Sequence, residues 1–203
     1  LALAESEDYA AAIIEAWYTG QAAGIAIADV LFGDYNPGGK LPETFYKSTQ
    51  QLPPFADYDI INNSRTYMYF EKPVSYPFGY GLSYTKFEYS NLIFNSDKIS
   101  QDKEITIQCT VQNIGSYQGD EVIQVYVSDK NASVKVPIRQ LKRFKRLTLL
   151  PEEKKTVSFT LPLSELSFYD IESNEFIVEP GEFEVQIGSS SQDIRLRKSF
   201  FVE

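Results

Sequence analysis

The 203 residues include no histidine and only one cysteine, one methionine and one tryptophan. Without histidine, His-based triads, His-activated nucleophiles and histidine metal sites are excluded. The single Cys109 rules out an intramolecular disulfide and any cysteine-cluster metal site. It falls in the alternating stretch Glu104-Ile105-Thr106-Ile107-Gln108-Cys109-Thr110-Val111, which puts Ile105, Ile107, Cys109 and Val111 on one face. A buried structural thiol is expected there rather than a nucleophile. Any catalysis must therefore rest on carboxylates, Tyr, Ser or Lys, and no cofactor or metal is expected. Basic residues are outnumbered 19 to 28, for a net charge of −9. Nucleic acid, whose phosphates need a basic surface, is excluded as a partner. No stretch reaches the roughly 18 apolar residues of a membrane span. No signal-peptide pattern is visible, and the chain opens on Leu1-Ala2-Leu3-Ala4 without an initiator Met, as expected of a chain cut from something longer.

What is present is aromatic. Fourteen Tyr, fourteen Phe and a hydrophobic fraction of 43% are ample for a core. An acidic, Tyr-rich surface suits a neutral polar partner such as a carbohydrate, although it is also the ordinary means of staying soluble.

Apolar residues Ala10, Ile13, Ile14 and Trp17 have helix-like spacing over 6–19, but Ala12–Tyr18 reads equally as a short buried strand. Glu5, Glu7 and Asp8 suit a solvated helix N-terminus, where acids oppose the positive dipole end. A clearer helix is predicted over Gly24–Phe32, ended by Gly33. Asp34-Tyr35-Asn36-Pro37-Gly38-Gly39 is a turn cluster, and Leu41–Tyr46 reads as a short edge strand. The apolar faces around Ile13, Trp17, Ile25 and Phe32 need a sheet that the chain does not contain. They are expected to pack on the rest of the chain, to pair with a second copy or to stay disordered. An ordered, exposed and unpaired segment would count against that expectation.

Residues 47–86 carry Phe55, Tyr58, Tyr67, Tyr69, Phe70, Tyr76, Phe78 and Tyr80 with little periodicity, and Pro53, Pro54 and Pro73 keep them extended. From Phe87 onward, strands are predicted at 87–94, 104–113, 121–128, 140–149, 154–161, 175–178, 182–188 and 193–202, separated by turn signals. Seven or eight short strands indicate an immunoglobulin-like or fibronectin-III-like sandwich. The fold class is thus mainly β: a β-sandwich domain over 87–203, preceded by a small α/β fragment over 1–46 and an aromatic-rich linker over 47–86.

Four ordered segments carry a resemblance. They are Trp17 to Pro42, with its Gly33-Asp34-Tyr35-Asn36-Pro37-Gly38-Gly39 turn; Tyr76-Pro77-Phe78-Gly79-Tyr80-Gly81-Leu82-Ser83-Tyr84-Thr85, following Arg65–Phe70; Gly119–Val127; and Pro180–Val185. Together they resemble the C-terminal part of family 3 glycoside hydrolases: the end of the α/β sandwich domain, then the fibronectin-III-like domain. The segment Gln51–Phe55 with Asp57 and Tyr58 leans toward the β-xylosidase-like branch. Thr19, Ala23, Met68 and Phe176 depart from the family's frequent Pro, Gly, Arg and Trp. Met68 removes a cation from the aromatic segment.

The resemblance implies retaining hydrolysis of terminal β-xylosides or β-glucosides by a nucleophilic Asp and an acid/base Glu, the two carboxyls about 5 Å apart. Both belong to family segments that have no counterpart here, so no catalytic residue is assigned. The implied partners are the catalytic domains of a parent enzyme and, through them, the sugar, with self-association through the N-terminal segment as a further route. The implied compartment is periplasmic or secreted. Residues expected to touch sugar are Asp57, Tyr58, Tyr67 and Tyr69, because aromatic faces stack on the CH faces of sugars. The plainer expectation is that Tyr67, Tyr69, Phe70 and Phe78 bury apolar area between two domains. Arg139–Arg146 alternates with Leu141 and Phe144 and reads as the polar face of a sandwich strand, where like charges at edges also discourage aggregation. Two sequons, at Asn62 and Asn131, carry little weight. The alternative function is a stand-alone carbohydrate- or protein-binding sandwich. Tyr117 and Tyr126 are too few and too scattered to favour it.

Overall fold

Alternation between apolar and polar residues is what closes the sandwich in the computed structural model, which describes residues 9–203. Ten strands form among the described residues: β1 (Phe87–Phe94), β2 (Lys98–Ile99), β3 (Glu104–Asn113), β4 (Gly119–Asp129), β5 (Gln140–Leu149), β6 (Lys154–Pro162), β7 (Phe168–Asp170), β8 (Glu175–Ile177), β9 (Gly181–Gly188) and β10 (Ile194–Val202). One sheet has the order β1-β3-β6 and the other β2-β10-β9-β4-β5, while β7 and β8 pair as a separate hairpin. All pairs are antiparallel except β10 with β2.

The core lies between the two larger sheets. Ile105, Ile107, Cys109 and Val111 of β3 are fully buried against Ile123, Val125, Phe183, Val185, Ile187 and Phe200 of the facing sheet. Each such side chain contributes about 1.5–3 kcal/mol on removal from water. This packing holds the two sheets without a disulfide, as the lone Cys109 requires.

β4 is unusual in being buried on both faces. Its odd positions from Ile123 enter the core, while Gln124, Tyr126 and Ser128 on the outer face are also buried. The cover on that outer face is the stretch between residues 36 and 86, so the segment expected to connect also forms a layer over the sheet.

The N-terminal part departs most from expectation. Helix α1 (Ala23–Phe32) forms where predicted, and Gly33 ends it in the left-handed region at φ 86°, its N–H donating to Val30 O. Residues 9–19 adopt neither of the alternatives, helix or strand, and Leu41–Tyr46 makes a single bridge, Phe45 to Tyr76, instead of a strand. No side chain of α1 is buried; Ile25 is 69% and Phe32 83% exposed. Ile13 and Trp17 are exposed as well. Contrary to expectation, these faces do not pack on the sandwich. α1 is ordered, with Ile27 to Val30 half-buried and Ile25, Leu31 and Phe32 exposed, which counts against the expectation that these faces pack on the rest of the chain or stay disordered. The acidic cluster Glu5, Glu7 and Asp8 lies outside the described residues.

Candidate functional site

The outer layer is fixed to the sheet by backbone groups and a few buried polar side chains. Leu41 N donates to Tyr80 O at 2.8 Å, Gly79 N to Leu41 O at 2.8 Å, and Phe45 N to Tyr76 O at 2.9 Å, tying the two sides of the layer together. Gln124 reaches up from β4: its Nε2 donates to Gly79 O at 3.0 Å and to Ser189 O at 2.6 Å, while its Oε1 accepts from the Tyr126 hydroxyl. Ser191 N donates to Phe78 O at 2.9 Å. Lys40 pairs with buried Glu121 at 3.3 Å and also donates to Gly81 O at 3.1 Å.

Tyr67 sits in the four-residue turn α2 (Thr66–Tyr69), stacked on Phe78 at 4.2 Å and edge-on to Tyr126 at 6.0 Å. Its hydroxyl accepts from Leu141 N at 3.0 Å, and burial raises its pKa despite that bond. Met68 O, one residue on, accepts from Ile138 N at 2.7 Å. One face of the Tyr67 ring and its hydroxyl are thus engaged within the protein. Burial also raises the Tyr69 pKa, and its side chain is half-buried.

Asp57 and Tyr58 lie elsewhere, on an exposed loop; the Tyr58 side chain is 80% exposed. Asp57 Oδ1 accepts from Asp59 N at 3.0 Å, and this backbone hydrogen bond holds its carboxyl below the usual range. Asp59 is held low in the same way, by Asn62 N at 2.8 Å. Both are turn-forming carboxylates. Arg65 anchors the loop base by donating to Asp57 O and Pro54 O. A cleft of about 310 Å³ beside the layer takes in Tyr67, Phe70, Glu71 and Arg139 but not the other three candidates. The four candidate residues therefore divide between an exposed loop and a packed seam.

A general acid needs a raised carboxyl pKa. Among the described residues with a resolved shift, Asp129 is the one carboxyl raised, by burial, and it is a turn residue accepting from Asn131 N at 2.9 Å. No cluster of potential metal ligands occurs among the described residues. Sequence reasoning missed Gln124, Asn36 and Lys40 as the residues that lock the layer. Gln124 had a signal: it is polar at a position that continues strong strand alternation, so it has to be hydrogen-bonded if both faces are covered.

Residues 1–84 match the glycosyl hydrolase family 3 C-terminal domain, and residues 121–191 a fibronectin type III-like domain. The chain belongs to the C-terminal region of glycoside hydrolase family 3. It is 42% identical to a periplasmic β-glucosidase of Salmonella typhimurium over 96% of its own length and 27% of that protein's. It is 41% identical to a xylan 1,4-β-xylosidase of Xylanibacter ruminicola, over 98% of its length and 22% of the relative's. The β-glucosidase 3B structure from Thermotoga neapolitana, in complex with glycerol, superposes with a TM-score of 0.91 at 33% identity, over 100% of this chain and 30% of that one. The chain thus spans about a quarter of the family members it matches. The α1 helix with its Gly33–Gly39 turn falls in the first matched segment. β4 from Glu121, through to the Ser189–Ser191 turn, falls in the second. No helix among the described residues is long and apolar enough to cross a membrane.

Proposed function

We propose that this chain is the accessory C-terminal portion of a retaining β-glycosidase that removes terminal β-linked glucose or xylose. In this assignment residues 1–46 complete an α/β sandwich domain, 47–86 link it to the sandwich, and 87–203 form the fibronectin-III-like domain. The catalytic nucleophile and acid/base belong to the remainder of the parent, and the isolated chain is inactive. The partners are those catalytic domains, which would cover the exposed apolar side chains Ile25, Leu31 and Phe32 of α1. Similarity to a periplasmic β-glucosidase favours a periplasmic or secreted parent.

The observation that carries the proposal is the exposed apolar side of α1, beside a sandwich whose own core is fully buried. A helix whose apolar residues face water has lost a cover, and the matched relatives are some four times longer. The layer over β4 would brace the catalytic domains. Asp57 and Tyr58, exposed on their loop, would reach the rim of a neighbouring cleft, with Tyr67 and Tyr69 supporting them from the seam.

The test is hydrolysis of aryl β-glucoside, β-xyloside and α-arabinofuranoside by material whose intact mass matches these residues. No turnover is expected. Turnover that scales with the chain and survives repurification would overturn the assignment, and Asp57 and Asp59 would then be the first residues to replace.

A further inference from the structure

The cleft of about 310 Å³ beside the layer is lined by donors that nothing in the described chain answers. Arg139, the residue before β5, lines it and donates through Nη1 to Ser191 O, in the turn between β9 and β10. That bond uses one of the five N–H groups of a guanidinium. Arg139 has no ion-pair partner among the described residues. Burial lowers its pKa, because a charge taken from water without a partner is disfavoured. Glu184, a carboxylate that acts on it through space, is already held by Lys130 at 3.3 Å and Arg197 at 3.0 Å. Glu71 also lines the cleft, but it is exposed and forms no ion pair with Arg139.

Thr44 and Tyr67 add two further donors. The Thr44 hydroxyl is buried and has no hydrogen-bond partner among the described residues. The Tyr67 hydroxyl accepts from Leu141 N, while its own proton has no acceptor among the described residues. Each of these groups calls for an acceptor, and a guanidinium fork matches the two oxygens of a carboxylate. Phe70, Val74, Pro77 and Ile138 supply apolar walls that fit the methylenes of a side chain. At the low end of ligand pockets in volume, the space suits one inserted side chain better than a drug-sized molecule.

The position of the cleft names the source of that side chain. Thr44, Tyr67, Phe70 and Pro77 fall in the segment matched to the family 3 C-terminal domain, and Arg139 and Ser191 in the fibronectin type III-like one. The cleft is thus where the two matched segments meet, and an anion held there touches both. We infer that the catalytic domains of the parent insert an Asp or Glu side chain into this cleft, its carboxylate bound by Arg139, Thr44 and Tyr67. This rests on the accessory assignment above and gives the chemistry of one point of contact with the partner.

Two measurements test it. The first titrates the ¹⁵N-labelled chain with sodium acetate, against sodium chloride at equal ionic strength. Acetate alone should shift the Arg139 Nε–H signal and the amides of residues 44, 67, 139 and 192, with half-saturation on the order of 10 mM for a single forked pair. Arg139→Gln should abolish these shifts. Thr44→Val should weaken acetate about threefold without lowering the thermal midpoint, since a buried hydroxyl that lacks a partner does not stabilise the fold.

The second treats the full-length parent carrying Arg139→Lys with a water-soluble carbodiimide. The reagent condenses an amine and a neighbouring carboxyl to an amide and takes up the water as its urea. Peptide mass should find position 139 joined to an Asp or Glu of the catalytic domains. No acetate-specific shift at Arg139, a crosslink to Glu71, or no crosslink at position 139 would each overturn the inference. The accessory assignment fails separately, by turnover of the isolated chain.

Discussion

Gly79 and Gln124 claim the same space. Gly79 has a left-handed backbone at φ 82°, and a Cβ placed there would fall inside the Gln124 side-chain amide, which itself donates to Gly79 O. The glycine is needed twice, for its backbone angle and for the close approach. Gly79→Ala is expected to destabilise the fold by about 2–3 kcal/mol, from backbone strain plus displacement of Gln124. Urea unfolding followed by tryptophan-independent far-ultraviolet dichroism measures it.

Lys40 and Glu121 hold the same layer by charge. Their side chains are 13% and 4% exposed, so removing one partner strands the other out of water. Lys40→Met should cost roughly 3 kcal/mol. In combination with Glu121→Gln the loss should fall well short of the sum, and a double-mutant cycle on denaturation midpoints reads that coupling.

Cys109 offers a probe of opening. Burial pushes its thiol up to about 12. Unfolded, it returns to the ordinary value near 8.5; since the native thiol is fully buried, at pH 8 it should be alkylated only through opening, far more slowly than in the unfolded chain. The same shift gives a sign: its contribution to stability is full below the unfolded value and fades as pH rises toward the folded one. Iodoacetamide labelling followed by intact mass checks the rate.

Asp193 works in the opposite direction. The hydrogen bond from Arg195, at 2.8 Å, holds its carboxyl below the usual range, against an opposing burial effect. Its contribution is present above the unfolded value of about 3.9 and is lost as pH falls through the lower folded value. Because the pair is half-exposed, Asp193→Asn should cost about 1 kcal/mol or less at pH 7. The difference from the parent chain should shrink once the pH drops below about 3.9. Urea midpoints across pH 2–7 test it.

The long strands were legible because one face of each is core. β3 alternates Ile105, Ile107, Cys109 and Val111 without a break, and its bounds came out as expected. β2 and β7, two and three residues long, are too short to show a period. Leu141 and Phe144 differ in parity, but the register shift at Val125/Tyr126 sets both opposite outer-face residues of β4, Tyr126 and Gln124, and Phe144 is exposed there. Residues 10–19 have helical spacing and no helix, since spacing stabilises a helix only when there is a surface to bury it against. Tyr117 and Tyr126 share no surface, as their scatter in the sequence implied: Tyr117 is exposed, while Tyr126 is fully buried under the layer.

The sheet order has a consequence for synthesis. β4 lies between β5, its neighbour in sequence, and β9, whose Gly188 sits opposite Gln124. As the nascent chain leaves the ribosome, β1 through β6 emerge while β4 still offers an unpaired edge. That edge stays open until β9, residues 181–188, follows. Half-made chains are thus the aggregation-prone species, and slowing translation ahead of β9 should lower soluble yield more than slowing it ahead of β5.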